Sequence, residues 1–249
     1  MRSDWERSIF EGDLDANYPL TYEDSRFTLH YQPGTLVEQQ RALVLDMVER
    51  SLERVEETLG VRLSGRFDVY AAGTLFAAPN AHLRGLSQSF YRRSFFLYDG
   101  SGSPADNEYL VSHELTHLVS WNTWGAPSST MLSEGLATYA GYSVLDEAGF
   151  LDHDQVCLAA YGAGVMPSMA DIEQDFTSFQ GHIRDRFNFF GAGCFVEYLI
   201  DQYGRETMSK LYHTSDYINL YDKTLAELDA EWQATLGARQ GELTVDPEA

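Results

Sequence analysis

Residues 113–117 read His-Glu-Leu-Thr-His, and no other stretch restricts the fold of this chain so tightly. Two histidines four residues apart share one face of a helix, a turn apart. Both imidazoles reach a single metal ion, at roughly 2.0–2.1 Å, only if that helix is rigid. The flanking residues allow this, since Leu110, Val111, Leu115, Leu118 and Val119 supply apolar surface for packing. Glu114 lies about 100° around the helix from His113, placed to reach a water on the same ion.

Two histidines do not complete a catalytic metal site, which takes three protein ligands and keeps one position open. The next candidate is Glu134, in Ser133-Glu-Gly-Leu-Ala-Thr-Tyr139. The sixteen residues between His117 and Glu134 are enough to finish one helix, turn and begin another. A helix returning antiparallel sets Glu134 over the histidine pair, and Gly135 and Ala137 allow the two helices to approach closely. Zinc is the expected ion. Of the other histidines, His30 falls in a strand pattern. His82, His153 and His213 stand among polar residues and are read as exposed. His182, near Arg184 and Arg186, is a secondary candidate for the site.

The chain around this motif is of mixed type. Residues 26–31, 66–71, 86–91 and 94–98 read as strands, the last two joined at Arg92-Arg93. A helix is expected from Thr35 to Leu59, with Val44, Val48, Leu52, Val55 and Leu59 on one stripe and Gly60 as its stop. The motif helix runs from about Asp106 to Ser120. Beyond Trp124 the pattern is helical: one helix from Pro127-Ser-Ser129 to about Leu145, one over 192–203, and a last one capped by Asp222 that buries Leu225, Leu228, Trp232 and Leu236. The stretch 163–187 reads as irregular. Strands first and helices after are the α+β signature, and the metal motif falls at the junction.

Apolar residues make up 44% of the 249 residues and aromatic residues 13%, a globular composition. The 38 acidic and 17 basic residues give a net charge of -21, which excludes nucleic acid as a partner because phosphate binding needs a basic face. Solubility accounts for the charge, and a preference for basic substrates is the sharper reading. No stretch approaches the apolar run that spans a bilayer. The first twenty residues are polar, so the expectation is a cytoplasmic chain as written, or an exported one whose leader has been removed. Cys157 and Cys194 could pair, but Cys194 sits in an apolar helical stretch and a buried free thiol is expected.

In these segments the sequence resembles the gluzincin metallopeptidases, over about residues 85 to 236. Phe95-Phe-Leu-Tyr-Asp-Gly100 ahead of the histidine motif is similar to the strand, loop and active-site helix of thermolysin-like enzymes. Ser133–Tyr139 is more similar to the glutamate helix of aminopeptidase-N-like enzymes and the small peptidase MA-like domains, and 193–204 to the helix that follows it. The resemblance implies an α+β, zincin-like fold: an N-terminal mixed sheet with helices, a mainly helical C-terminal lobe, and a zinc cleft between them. It implies a single catalytic domain over 1–249, with lobes at about 20–120 and 121–240. It also implies a zinc metallopeptidase acting on peptides or proteins, with His113, His117 and Glu134 as ligands and Glu114 as general base.

The departures matter too. Thr123 and Ser120 stand where another zincin branch has its histidine and glycine. No Gly-x-Met-Glu-Asn segment is present to grip a free amino terminus, which favours an endopeptidase held on an edge strand at Ser87 and Ser89. Thr138 stands where thermolysin-like enzymes have an aspartate. The tyrosine that donates to the transition state, nine residues before the tyrosine of a Tyr-Leu pair, falls here on Phe189. Tyr139, Tyr142, Tyr161 and His182 are the substitutes to consider. A zinc-binding pseudopeptidase that serves as a protein-binding module is the main alternative, and a closed structural zinc site is a weaker one.

Overall fold

The computed structural model describes residues 14–73, 84–145, 153–177 and 186–243. The chain forms two compact units that divide between Thr123 and Trp124.

The first unit carries the sheet. A helical turn, α1 (Leu14–Asn17), leads into β1 (Leu20–Glu23), whose side chains are largely exposed, so that the strand leaves no apolar alternation in the sequence. β2 (Phe27–Tyr31) alternates as expected, burying Phe27, Leu29 and Tyr31. The helix expected over Thr35–Leu59 is two, α2 (Leu36–Gln39) and α3 (Arg41–Leu59), because Gln40 leaves the helical region at φ -113°, ψ 25°. α3 buries the expected valine and leucine stripe, and Gly60 ends it in the left-handed conformation at φ 67°. Then come β3 (Phe67–Ala72), β4 (Gly85–Gln88), a short 3₁₀ turn (Ser89–Tyr91), β5 (Arg93–Leu97) and α4 (Pro104–Thr123).

The sheet order is β1-β2-β3-β5-β4. β2, β3 and β5 run parallel, while β1 and β4 are antiparallel to their neighbours, so the sheet is mixed and β4 is an edge. α4 packs on α3 and against β4 and β5. On the sheet, Tyr70 stacks on Phe95 at 4.6 Å and Tyr18 meets Tyr70 edge-on at 5.2 Å. In the last turn of α3, buried Glu56 accepts both guanidinium arms of Arg26, at 2.9 and 2.5 Å, and the Leu63 N–H at 2.7 Å.

The second unit is helical: α5 (Thr130–Ser143), α6 (His153–Gly162), α7 (Met169–Thr177), α8 (Arg186–Tyr203), α9 (Arg205–Thr214), α10 (Tyr217–Tyr221) and α11 (Leu225–Ala238). Ser129 caps α5 as its side chain accepts from the Leu132 N–H. The stretch expected to be irregular contains α7, whose first turn is closed by Ser168 and Asp171 exchanging hydrogen bonds and whose Met169, Ile172 and Phe176 form a buried face. Asp222 does not cap α11. It ends α10 in the left-handed conformation, and the cap is Thr224 in a capping box with Glu227.

α5 packs closely on α8. A Cβ on Gly135 would stand 2.6 Å from the Ala192 carbonyl oxygen and 3.0 Å from Val196 Cγ2, so the glycine sets that contact. The close approach expected at Gly135 toward the histidine helix is made instead to α8, whose atoms are the nearest to its open side. Cys157 on α6 and Cys194 on α8 are disulfide-bonded, with Cα atoms 5.9 Å apart, which corrects the expected free thiol. The 37-residue separation concealed this pairing, because only the packing of α6 on α8 brings the two together. No helix among the described residues is long and apolar enough to cross a membrane.

Candidate metal centre

α4 positions the motif. Val111, Leu115, Leu118 and Val119 are at most 1% exposed and fasten the helix to its unit. His113 and His117 remain part-exposed on the same face, with ring centroids 5.0 Å apart. The backbone under His117 is also held: its carbonyl accepts from Ser89 Oγ at 3.0 Å, and Ser89 Oγ lies 2.9 Å from Ser87 Oγ. Ser89 therefore sits in the 3₁₀ turn and not in the edge strand, which ends at Gln88.

Glu134 occupies the second turn of α5. One ligand atom each from His113, His117 and Glu134 lies within 4.8 Å of the others. Two imidazoles and one carboxylate are the three-ligand set that a catalytic zinc takes, and the residues present fit that ion. Such a donor set leaves a fourth position for water or substrate. Thr138, one turn after Glu134, is buried, and its hydroxyl has no hydrogen-bond partner among the described residues. It supplies no carboxylate to this region, as its side chain requires.

Glu114 lies between the histidines in sequence and is only 7% exposed. Its carboxylate fills the space that a side chain on Gly85 would take. A Cβ there would lie 2.6 Å from Glu114 Cγ, 2.7 Å from Cδ and closer still to Oε1. No local period in the sequence encodes this relation, and its only trace is a glycine, Gly85, at the start of an edge strand.

The remaining candidates are placed as follows. Phe189 on α8 is part-buried and meets Phe176 of α7 edge-on at 5.2 Å. The Tyr142 ring stacks on His153 at 4.8 Å, and Tyr139 lies 6.3 Å from the same ring. The Tyr161 hydroxyl is directed at α11, 3.1 Å from where a Cβ on Gly237 would stand. His182 and His82 lie outside the described residues. His30 stacks on Tyr70 and meets Asp68 at 2.9 Å. His213 is exposed, as expected, with Nδ1 3.0 Å from the Ala126 carbonyl. His153 departs from expectation. It is 3% exposed, because α6 turns it inward against Tyr142 and Phe190.

Neither a protein-family model nor any curated protein matches the sequence. Solved structures do match. A mutant of the M1 zinc metallopeptidase from Deinococcus radiodurans is 17% identical with a TM-score of 0.53, and the unmutated enzyme is 18% identical at 0.50; in both cases the match covers 92% of this chain and 52% of the other. Native yeast LTA4 hydrolase is 14% identical at 0.52, over 92% of this chain and 38% of the other. The chain thus shares the fold of these structures, and it spans about half the length of the bacterial ones and less than half of the yeast one.

Proposed function

We propose that the chain is a zinc-dependent peptide-bond hydrolase, and specifically an endopeptidase. The observation that carries the reading is the convergence of His113, His117 and Glu134, with Glu114 on the helix that carries both histidines. Bound zinc would supply polarisation of the scissile carbonyl and acidification of a water. Glu114 takes the proton of the attacking water and delivers it to the leaving amine. Its low exposure and the enclosing notch at Gly85 hold the carboxylate in place for that transfer.

The endopeptidase assignment rests on two features. β4 is an edge of its sheet, and an extended peptide can add to such an edge through backbone hydrogen bonds with little side-chain demand. The segment that grips a free amino terminus in aminopeptidases is absent. Glu114→Gln protein assayed against a degenerate, end-blocked peptide library tests the reading: wild type cleaves internally and the variant holds zinc without cleaving. Cleavage confined to the first residue of unblocked peptides would leave the hydrolase and remove the endopeptidase.

Phe189 favours a second reading, a zinc-binding pseudopeptidase that binds protein partners. Phenylalanine has no hydroxyl to donate to the oxyanion, and the loss of one such donor typically costs about 10²–10³ in rate.

A further inference from the structure

The second unit holds another set of metal-type ligands, unconnected with the motif on α4. His153 and Cys157 lie four residues apart on α6 and share a face, and Cys194 comes from α8. One ring nitrogen of His153 and the two sulfurs all lie within 4.8 Å of one another. All three residues are at most 3% exposed.

A disulfide needs neither a histidine nor a carboxylate beside it, yet both are present. His153 Nδ1 stands 2.8 Å from Glu197 Oε2, one turn after Cys194. His153 Nε2 is buried with no hydrogen-bond partner among the described residues. The space beside that nitrogen is kept open by Gly193, where a Cβ would come within 3.2 Å of it. A carboxylate on one imidazole nitrogen and nothing on the other is how proteins orient a histidine for a metal, since the carboxylate fixes the ring and its tautomer. Tyr142 and Phe190 wall the ring and hold it there.

The geometry points to a thiol-gated zinc site made of His153, Cys157 and Cys194, with Glu197 as the orienting carboxylate. In the disulfide form the sulfurs are poor ligands and the site is closed. A dithiol reductant opens it: the Cys157–Cys194 bond takes up two electrons and two protons and becomes two thiols, while the reductant becomes a disulfide. Entry of Zn²⁺ then releases both thiol protons to solvent and forms two zinc–thiolate bonds and one bond to the neutral imidazole. Two thiolates around Zn²⁺ sum to zero charge, which a buried site tolerates. Three protein ligands leave a fourth position for water.

Cobalt(II) titration of the full chain, oxidised and after reduction with dithiothreitol and its removal, tests this site separately from the one on α4. The oxidised protein is expected to bind one equivalent with no thiolate-to-cobalt charge-transfer absorption. The reduced protein is expected to bind a second equivalent with that absorption, with its far-ultraviolet circular dichroism unchanged. His153→Ala keeps both thiols and should lose the second equivalent. Glu197→Gln should weaken it by about 10–100-fold, as removal of an orienting carboxylate does. The proposal is overturned if the reduced, folded protein binds a single equivalent without the absorption. An unchanged second equivalent in His153→Ala overturns it as well, as does a reduced chain that unfolds and is not restored by the metal.

Discussion

Gly85 and Glu114 share one space: the carboxylate of the proposed base occupies the volume in which any side chain at position 85 would begin. Glu114 comes from α4 and Gly85 from the edge strand on which that helix packs. Gly85→Ala should therefore displace the carboxylate and leave the histidines in place. Hydrolysis is expected to fall about 10²-fold, the scale of a misplacement near 1 Å, with zinc content unchanged. Zinc analysis beside a peptidase assay reads both. An alanine variant with wild-type turnover would show that the carboxylate does not depend on the notch.

Removal of the base itself should be more severe. Glu114→Gln keeps shape and hydrogen bonding but accepts no proton, so the rate should drop at least ~100-fold with zinc retained. Full activity in this variant would mean another base or another reaction.

The ligand set makes a stoichiometric prediction. Oxidised protein should carry one zinc per chain, and His113→Ala or Glu134→Ala should lose it, as read by elemental analysis after gel filtration. Chelation should abolish hydrolysis, and added zinc should restore it. Retention of a full equivalent by Glu134→Ala would remove Glu134 from the ligands.

Phe189 offers a test in the opposite direction. If it stands where a donor hydroxyl is needed, Phe189→Tyr should raise turnover toward the ~10²-fold that such a donor contributes, with no change in zinc. An unchanged rate would place the donor elsewhere. If neither protein cleaves any peptide while both hold zinc, the pseudopeptidase reading takes precedence.

The Arg26–Glu56 pair predicts the acid side of the stability profile. Burial pushes the Glu56 carboxyl up, but the hydrogen bonds from Arg26 and the Leu63 N–H, with the charge of Arg26, outweigh it and hold it below its ordinary value. A group depressed in the folded state contributes stability above its unfolded pKa, about 4.3, and loses that contribution as pH falls through the folded value. Glu56→Gln should cost on the order of 3 kcal/mol at neutral pH, because it leaves the part-buried Arg26 without its charge partner. Urea melts should show the gap between the variant and wild type closing as pH drops below about 4. A gap independent of pH would assign the loss to packing alone.

What the sequence by itself determined was local. A period near 3.6 placed α3 and the motif helix, alternation placed β2, short runs rich in aromatic residues placed β3 and β5, and the spacing of four put His113 and His117 on one face, because each of these depends only on neighbours within a turn or a pleat. The same logic extends to α7, through Ser168-x-x-Asp171 and the Met169, Ile172, Phe176 spacing, although the surrounding glycines and polar residues give that stretch an irregular pattern. Only the tertiary structure decided the rest. Cys157 and Cys194 pair because α6 packs on α8, and the same packing buries His153 among aromatic rings although its neighbours in sequence are polar. Gly135 serves α8, and Gly85 makes room for a carboxylate 29 positions further along the chain. These are contacts between surfaces that distant segments present to one another, and no local period encodes which surfaces meet.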